Sequence, residues 1–174
     1  MPDISLRYIG PEGAEDMSAF ACPLWRGTYD QMIGEAMSKK VFELWLSPDR
    51  IREMLGEGYR FAYVLVDGTE GGYIAFRLEE SNTLYLSKIY LQPRFHGMGV
   101  GSAALGMVER IAREMGADGI RLYVNAANSR AIKAYERNGY AAVGRDTSPI
   151  TEEFSRDDIE YALTLRRRGS FAHD

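Results

Sequence analysis

Residues 84–105 read Leu84-Tyr-Leu-Ser-Lys-Ile-Tyr-Leu-Gln-Pro-Arg-Phe-His-Gly-Met-Gly-Val-Gly-Ser-Ala-Ala-Leu105, and this stretch decides the fold. Leu84–Leu91 is an extended, apolar run closed by Pro93. Gly97, Gly99 and Gly101 follow at alternate positions. Ala104, Leu105, Val108, Ile111, Ala112 and Met115 then recur at helical spacing until Gly116. Glycine lets a backbone approach a ligand closely. The first N–H groups of a helix have no internal acceptor and carry a positive partial charge. A strand, a glycine turn and a helix start, in that order, make an anion cradle suited to phosphate or pyrophosphate. Glycines used only for tight packing would leave the same local pattern. A Walker loop would need a lysine after the glycines, and none is present. A dinucleotide fingerprint (Gly99, Gly101, Ala104) fits in spacing only. It stands mid-chain, and the next strand ends at Asn125 rather than at an acid.

Upstream, Arg60–Val66 and Gly71–Leu78 flank the turn Asp67-Gly68 as a hairpin, so three strands reach the cradle as an antiparallel meander. Further upstream stand a strand at Ile4–Ile9, a helix from Glu12 to Trp25 and a second helical segment around Thr28–Met37. Ser47-Pro48-Asp49 starts another helix, with serine as cap and proline in the first turn. Downstream, Ile120–Val124 is a short buried strand. A helix opens at Asn128-Ser129, carries Ala131, Ile132 and Tyr135 on one face, and ends at Asn138-Gly139. Strands at Tyr140–Gly144 and Ile159–Leu165 complete the chain, with a polar loop at 145–157 between them. The fold class is α/β with a mixed sheet. Its parallel pair is the two strands that flank the crossover helix after the cradle.

At 174 residues, with 45% hydrophobic and 11% aromatic content, the chain suits a single domain over residues 1–166 with a tail at 167–174. Its apolar runs fall short of the ~20 residues that span a bilayer. Asp3, Arg7, Glu12, Glu15 and Asp16 fit no signal-peptide core. The net charge of −4 argues against nucleic acid and suits a cationic partner such as an amine. Cys22, the one cysteine, can form neither an internal disulfide nor a thiolate metal cluster. It reads as a small buried hydrophobe in a reducing compartment. The expectations are a cytoplasmic protein with no metal, no nucleic acid and no membrane partner.

A second motif joins the first: Asn128-x-x-Ala131-x-x-x-Tyr135, closed by Gly139-Tyr140. Together with His96-x-x-Gly99-x-Gly101 it resembles the GNAT superfamily of acetyl-CoA-dependent N-acetyltransferases, over residues 60–165. The resemblance implies a mostly antiparallel central sheet of about seven strands flanked by helices. It also implies a V-shaped splay between the fourth and fifth strands, with acetyl-CoA as co-substrate in the gap. The pyrophosphate would meet the backbone of Gly97, Met98, Gly99, Val100, Gly101 and Ser102, with His96 beside it. The pantetheine amides would pair with Ile89, Tyr90 and Leu91. Asn128 would reach the thioester end, and Tyr135 would protonate the departing thiolate, as a phenol of pKa ~10 can. An N–H near Leu91 would polarise the thioester carbonyl.

This chain departs from the family pattern at His96, where Gln or Arg is usual, and on the strand before the cradle, which lacks the glutamate of several relatives. Glu79 and Glu80 are the nearest carboxylates in sequence, and a water relay is the alternative base. Trp25, Tyr29, Phe42 and Trp45 are candidate walls for an alkylammonium, with two of the four serving as core. Asp157, Asp158 and Glu160 are candidate counter-charges. The favoured acceptor is a small primary amine or polyamine. A peptide amine (protein N-terminus or lysine), a non-catalytic acyl-CoA-binding module and a nicotinamide oxidoreductase are the competing readings. The resemblance also allows a homodimer.

Overall fold

The computed structural model describes residues 2–165; the tail at 167–174 lies outside the described residues. β1 (Ile4–Tyr8) is followed by α1 (Ala14–Ile33), α2 (Glu35–Leu46) and α3 (Pro48–Gly56). The meander is β2 (Arg60–Val66), β3 (Thr69–Leu78) and β4 (Thr83–Leu91). Next come α4 (Val100–Glu114), β5 (Gly119–Asn125), α5 (Ser129–Arg137) and β6 (Ala141–Asp146). The short β7 (Pro149–Thr151) and β8 (Phe154–Ser155) precede β9 (Asp158–Thr164). Seven strands form one sheet in the order β1-β2-β3-β4-β5-β9-β6, with β4 and β5 parallel and the other pairs antiparallel. This is the mixed, helix-flanked sheet expected from the sequence. No helix among the described residues is long and apolar enough to cross a membrane.

The sheet is covered on both faces. On one, α4 lays its buried stripe (Val100, Ala104, Leu105, Val108, Ala112) over Leu84, Leu86, Ile120 and Leu122. Burial of each large aliphatic side chain contributes about 1.5–3 kcal/mol. The stripe therefore fixes the start of α4, and with it the glycine turn. On the other face, α1–α3 bury Met17, Trp25, Leu46 and Ile51 against Phe61 and Tyr73. The Ser47 hydroxyl caps α3, accepting from the Arg50 N–H at 3.2 Å.

The splay that makes the site has a local cause. Leu86 pairs with Phe76 and Lys88 with Ala75, so Ser87 is an extra residue in β4. Such a bulge bends a strand and raises its twist. β4 accordingly pairs with β5 only over Thr83–Tyr85 against Gly119–Arg121. From Leu86 to Leu91 the β4 edge facing β5 is left open.

Three expectations change. α1 does not end at Trp25 but runs 20 residues, through Pro23, to Ile33. Its apolar stripe outweighs the one backbone donor that proline removes. The break falls at Gly34, whose φ of +88° suits glycine, so Thr28–Ile33 closes α1 and α2 begins afterwards. Residues 145–157 are not an irregular loop. β6 continues to Asp146, whose Oδ1 accepts from the Ser148 N–H (2.9 Å) and hydroxyl (2.6 Å), and β7–β8 form a small hairpin. Cys22 is half-buried rather than buried.

Candidate active site

The gap between β4 and β5 opens into a cleft of about 150 Å³ floored by Leu86, Ile89 and Leu91 and walled by Leu105, Ala131 and Tyr135. At its mouth Gly99 caps α4 with φ +79°, a left-handed conformation that glycine adopts freely. Its missing side chain leaves the first N–H groups of α4 without a capping acceptor. A free strand edge and an uncapped helix start, one at each end of an apolar trough, fit a long ligand with amides and a pyrophosphate. His96 lines this cleft, and its Nε2 donates to the Leu91 carbonyl at 3.2 Å, tying the turn to the strand end.

α5 is held against the cleft from both ends. Asn128 caps it, Oδ1 accepting from the Ala131 N–H at 3.3 Å. Asn138 Nδ2 donates to the Ala134 carbonyl (2.7 Å) and the Ser102 hydroxyl (3.2 Å), which joins α5 to the start of α4. The Tyr140 N–H donates back to the Tyr135 carbonyl at 3.1 Å. Tyr135 is buried, 5.8 Å from the Tyr140 ring and 6.3 Å from that of Tyr161. Burial pushes its phenol well above the ordinary value, so it stays protonated at neutral pH.

A second cavity, about 290 Å³, opens on the α1–α3 side of β4. Trp25, Trp45, Tyr59 and Tyr85 wall it, and the β7–β8 hairpin contributes Ile150 and Phe154. Its charges are Arg50, Lys88, Asp146, Arg156 and Asp158. Asp146 and Arg156 face each other at 3.9 Å. Asp158 is absent from the ion pairs formed among the described residues, and burial raises its pKa. The two cavities meet at Tyr29, Ser87, Lys88, Tyr90 and Tyr123, which line both. The Tyr29 and Tyr90 hydroxyls lie 3.0 Å apart at this junction.

Of the residues singled out from sequence, Ile89, Tyr90, Leu91, His96, Gly101, Asn128 and Tyr135 line the one cleft. Gly97, Met98, Gly99, Val100 and Ser102 form the turn and helix start at its mouth; the Val100 side chain is buried and that of Met98 exposed. Glu79 lies elsewhere, clasped by Arg121 at 2.5 and 2.8 Å, and its carboxyl is held below its ordinary value. Glu80 is exposed. Phe42 is core, whereas Trp25, Tyr29 and Trp45 reach the second cavity. Asp157 pairs with Arg145 on the surface (2.5 Å) and Glu160 lies 3.7 Å from Arg121, so of these three acids Asp158 is the one that lines the cavity. Sequence reasoning missed Lys88. A search of β4 for acids passes over it, and simple alternation places it on the face of Leu84 and Leu86. The bulge at Ser87 turns it to the other face.

The chain matches the acetyltransferase (GNAT) family over residues 25–140. It is 26% identical over 159 residues to spermidine N(1)-acetyltransferase of Thermoplasma acidophilum, spanning 86% of this chain and 96% of that one. PaiA N-acetyltransferase of Thermoplasma acidophilum, solved with coenzyme A, shares the fold with a TM-score of 0.76 at 21% identity, over 94% of this chain and 99% of that one. YncA of Salmonella typhimurium, solved with its cofactor acetyl-CoA, aligns with a TM-score of 0.62 at 16% identity, over 96% of each chain. By the family match and the splayed sheet alike, this chain belongs to the GNAT family and is an acyltransferase, an N-acetyltransferase.

Proposed function

We propose that the protein moves an acetyl group from acetyl-CoA to a small primary amine by direct attack, with both substrates bound together. The observation that carries this reading is the meeting of two unlike cavities at one junction, Tyr29–Ser87–Lys88–Tyr90–Tyr123. One is apolar, edged by free backbone and an uncapped helix start. The other is aromatic and holds the carboxylate of Asp158. Acetyl-CoA supplies the activated acetyl group. The β4 edge at Ile89, Tyr90 and Leu91 holds it as an added strand would, and the N–H groups from Gly97 to Ser102 take the pyrophosphate. Asn128, with Oδ1 engaged in the cap, has its amide N–H groups for the thioester end. Tyr135 gives its proton to the sulfur as it leaves.

On the acceptor side, Asp158 attracts the cationic amine, and the aromatic walls seat its alkyl chain. Water in the wider cavity takes the proton that the amine must shed. Glu79, clasped by Arg121 away from both cavities, takes no part. The half-buried Cys22 lies outside both as well, so no cysteine-bound acetyl intermediate enters the transfer. The similarity to a spermidine acetyltransferase supports an amine of this class.

The test is thiol release from acetyl-CoA against a panel of small amines, polyamines, and peptides with free N-termini or lysines. The expected result is the highest kcat/KM for a small amine or polyamine. A peptide as the best acceptor would move the assignment to protein acetylation. No release with any amine, despite tight acetyl-CoA binding, would leave a binding module.

A further inference from the structure

Lys88 stands where donor and acceptor must meet. The bulge at Ser87 turns its side chain off the apolar face of β4, and it lines both the cofactor cleft and the acceptor cavity. Its Nζ reaches the Ser87 hydroxyl at 3.4 Å and joins none of the ion pairs found among the described residues. The charged groups around that cavity are Arg50 of α3, Asp146 of β6, Arg156 between β8 and β9, and Asp158 at the start of β9. The phenols of Tyr29, Tyr59, Tyr85, Tyr90 and Tyr123 face it from α1, the sheet and the link between α3 and β2. Burial, with a smaller push from Arg50, lowers the pKa of Lys88 to about 8. At that value the amine is half neutral near pH 8, a far larger neutral fraction than an ordinary lysine has there, and a neutral amine is a nucleophile.

We propose that Lys88 is a self-acetylation site: with acetyl-CoA in the cleft and the acceptor cavity empty, Lys88 Nζ itself takes the acetyl group. This rests on the acetyl-CoA reading of the cleft given above. The Nζ lone pair forms a C–N bond to the thioester carbon, the C–S bond breaks, and the proton lost from nitrogen ends on the departing sulfur. One amine and one thioester thus become one amide and one thiol, with no further reactant. The product is uncharged, which removes the cost of a buried cation. Its added acetyl group fills the junction that an acceptor amine must reach. Self-acetylation therefore closes the site when acceptor is scarce, and a bound acceptor protects against it.

The sequence supplies its own controls, because Lys39, Lys40 and Lys133 are the other lysines and all three are exposed. The full chain is incubated with acetyl-CoA and no amine, cleaved at sites other than lysine, and acetylation at each lysine is timed by mass spectrometry. Lys88 should react on the order of tenfold faster than the other three, or more, as expected for a neutral amine held beside the donor. Its rate should saturate with acetyl-CoA, fall on adding CoA and be independent of protein concentration. It should also level off above pH 8, whereas the exposed lysines keep gaining up to about pH 10. Gly99→Val should slow Lys88 without slowing the others. Acetyl-CoA bound by calorimetry, with Lys88 no faster than the exposed lysines, would overturn the proposal and leave the acetyltransferase reading standing. Failure of acetyl-CoA to bind would overturn both.

Discussion

The two cavities that share the middle of β4 are built on opposite plans. The donor cleft uses main chain: a free strand edge, a glycine-capped helix start and an apolar floor. The acceptor cavity uses side chains, namely aromatic rings and charges drawn from α1, α2, α3, the sheet and the β7–β8 hairpin. Backbone recognition suits a ligand that never changes, because its requirements fall on spacing and on glycine. Side-chain recognition suits a ligand that differs between relatives, because walls can be exchanged without moving the sheet. The difference teaches where each substrate's identity is written. On the proposed reading, the donor would be specified by a contiguous segment around residues 84–140 and the acceptor by side chains far apart in sequence.

Substitutions on the two sides should therefore separate cleanly. The largest effect is expected from Tyr135→Phe, which should lower kcat by about 10–10³-fold while the Kd for acetyl-CoA stays within about threefold, the signature of a lost proton donor. An unchanged kcat would remove Tyr135 from the chemistry. Gly99→Val forces a branched side chain onto φ +79° at the cap of α4. Strain of about 1–3 kcal/mol there should weaken acetyl-CoA binding about tenfold or more, measured by calorimetry. Normal affinity would show that the turn is only structural.

On the acceptor side, Asp158→Asn should raise the KM of the preferred amine about three- to tenfold and leave the Kd for acetyl-CoA unchanged. Because burial raises the Asp158 pKa, its ionised form opposes folding above the ordinary carboxylate range. The same variant should therefore melt slightly higher at pH 7, an advantage that shrinks as pH falls through the raised pKa of Asp158 and is gone below about pH 4. A change in acetyl-CoA affinity instead would blur the division between the cavities. The smallest effect is expected behind the donor edge. A Cβ on Gly72 would collide with the Tyr90 carbonyl oxygen and meet the Leu91 side chain at 2.7 Å. Gly72→Ala should push the end of β4 outward, cost about 1–3 kcal/mol and lower Tm by a few degrees, read by calorimetric melting.

The same division explains what the sequence reveals. The meander, the parallel pair, α4 and α5 follow from local signals: alternation, helical periodicity, and caps at Asn128 and Gly139. The donor-side residues fall in that segment, and the resemblance of its two motifs to the GNAT pattern is what assigns them to one site; Ile89, Tyr90, Leu91, His96, Gly101, Asn128 and Tyr135 line one cleft. α1 escapes local reading because Pro23 and Gly27 argue for a break that tertiary burial of Met17, Ala21 and Leu24 overrides. The β7–β8 hairpin depends on Asp146 and Ser148 bonding to each other and on Arg156 returning to the Ser148 carbonyl, a contact across eight residues with no periodic trace. Lys88 is hidden for a different reason. One inserted residue reverses the alternation that would assign its face, and only the pairing of Lys88 with Ala75 reveals it.

The central claim is that the open edge of β4 and the glycine-capped start of α4 form an acetyl-CoA site. Calorimetric titration of the purified protein with acetyl-CoA, with NADH as control, tests it most directly. The account predicts saturable binding of acetyl-CoA with one site per chain and no heat from NADH beyond dilution. Absence of acetyl-CoA binding, or tighter binding of NADH, would contradict it and withdraw every donor-side role given above.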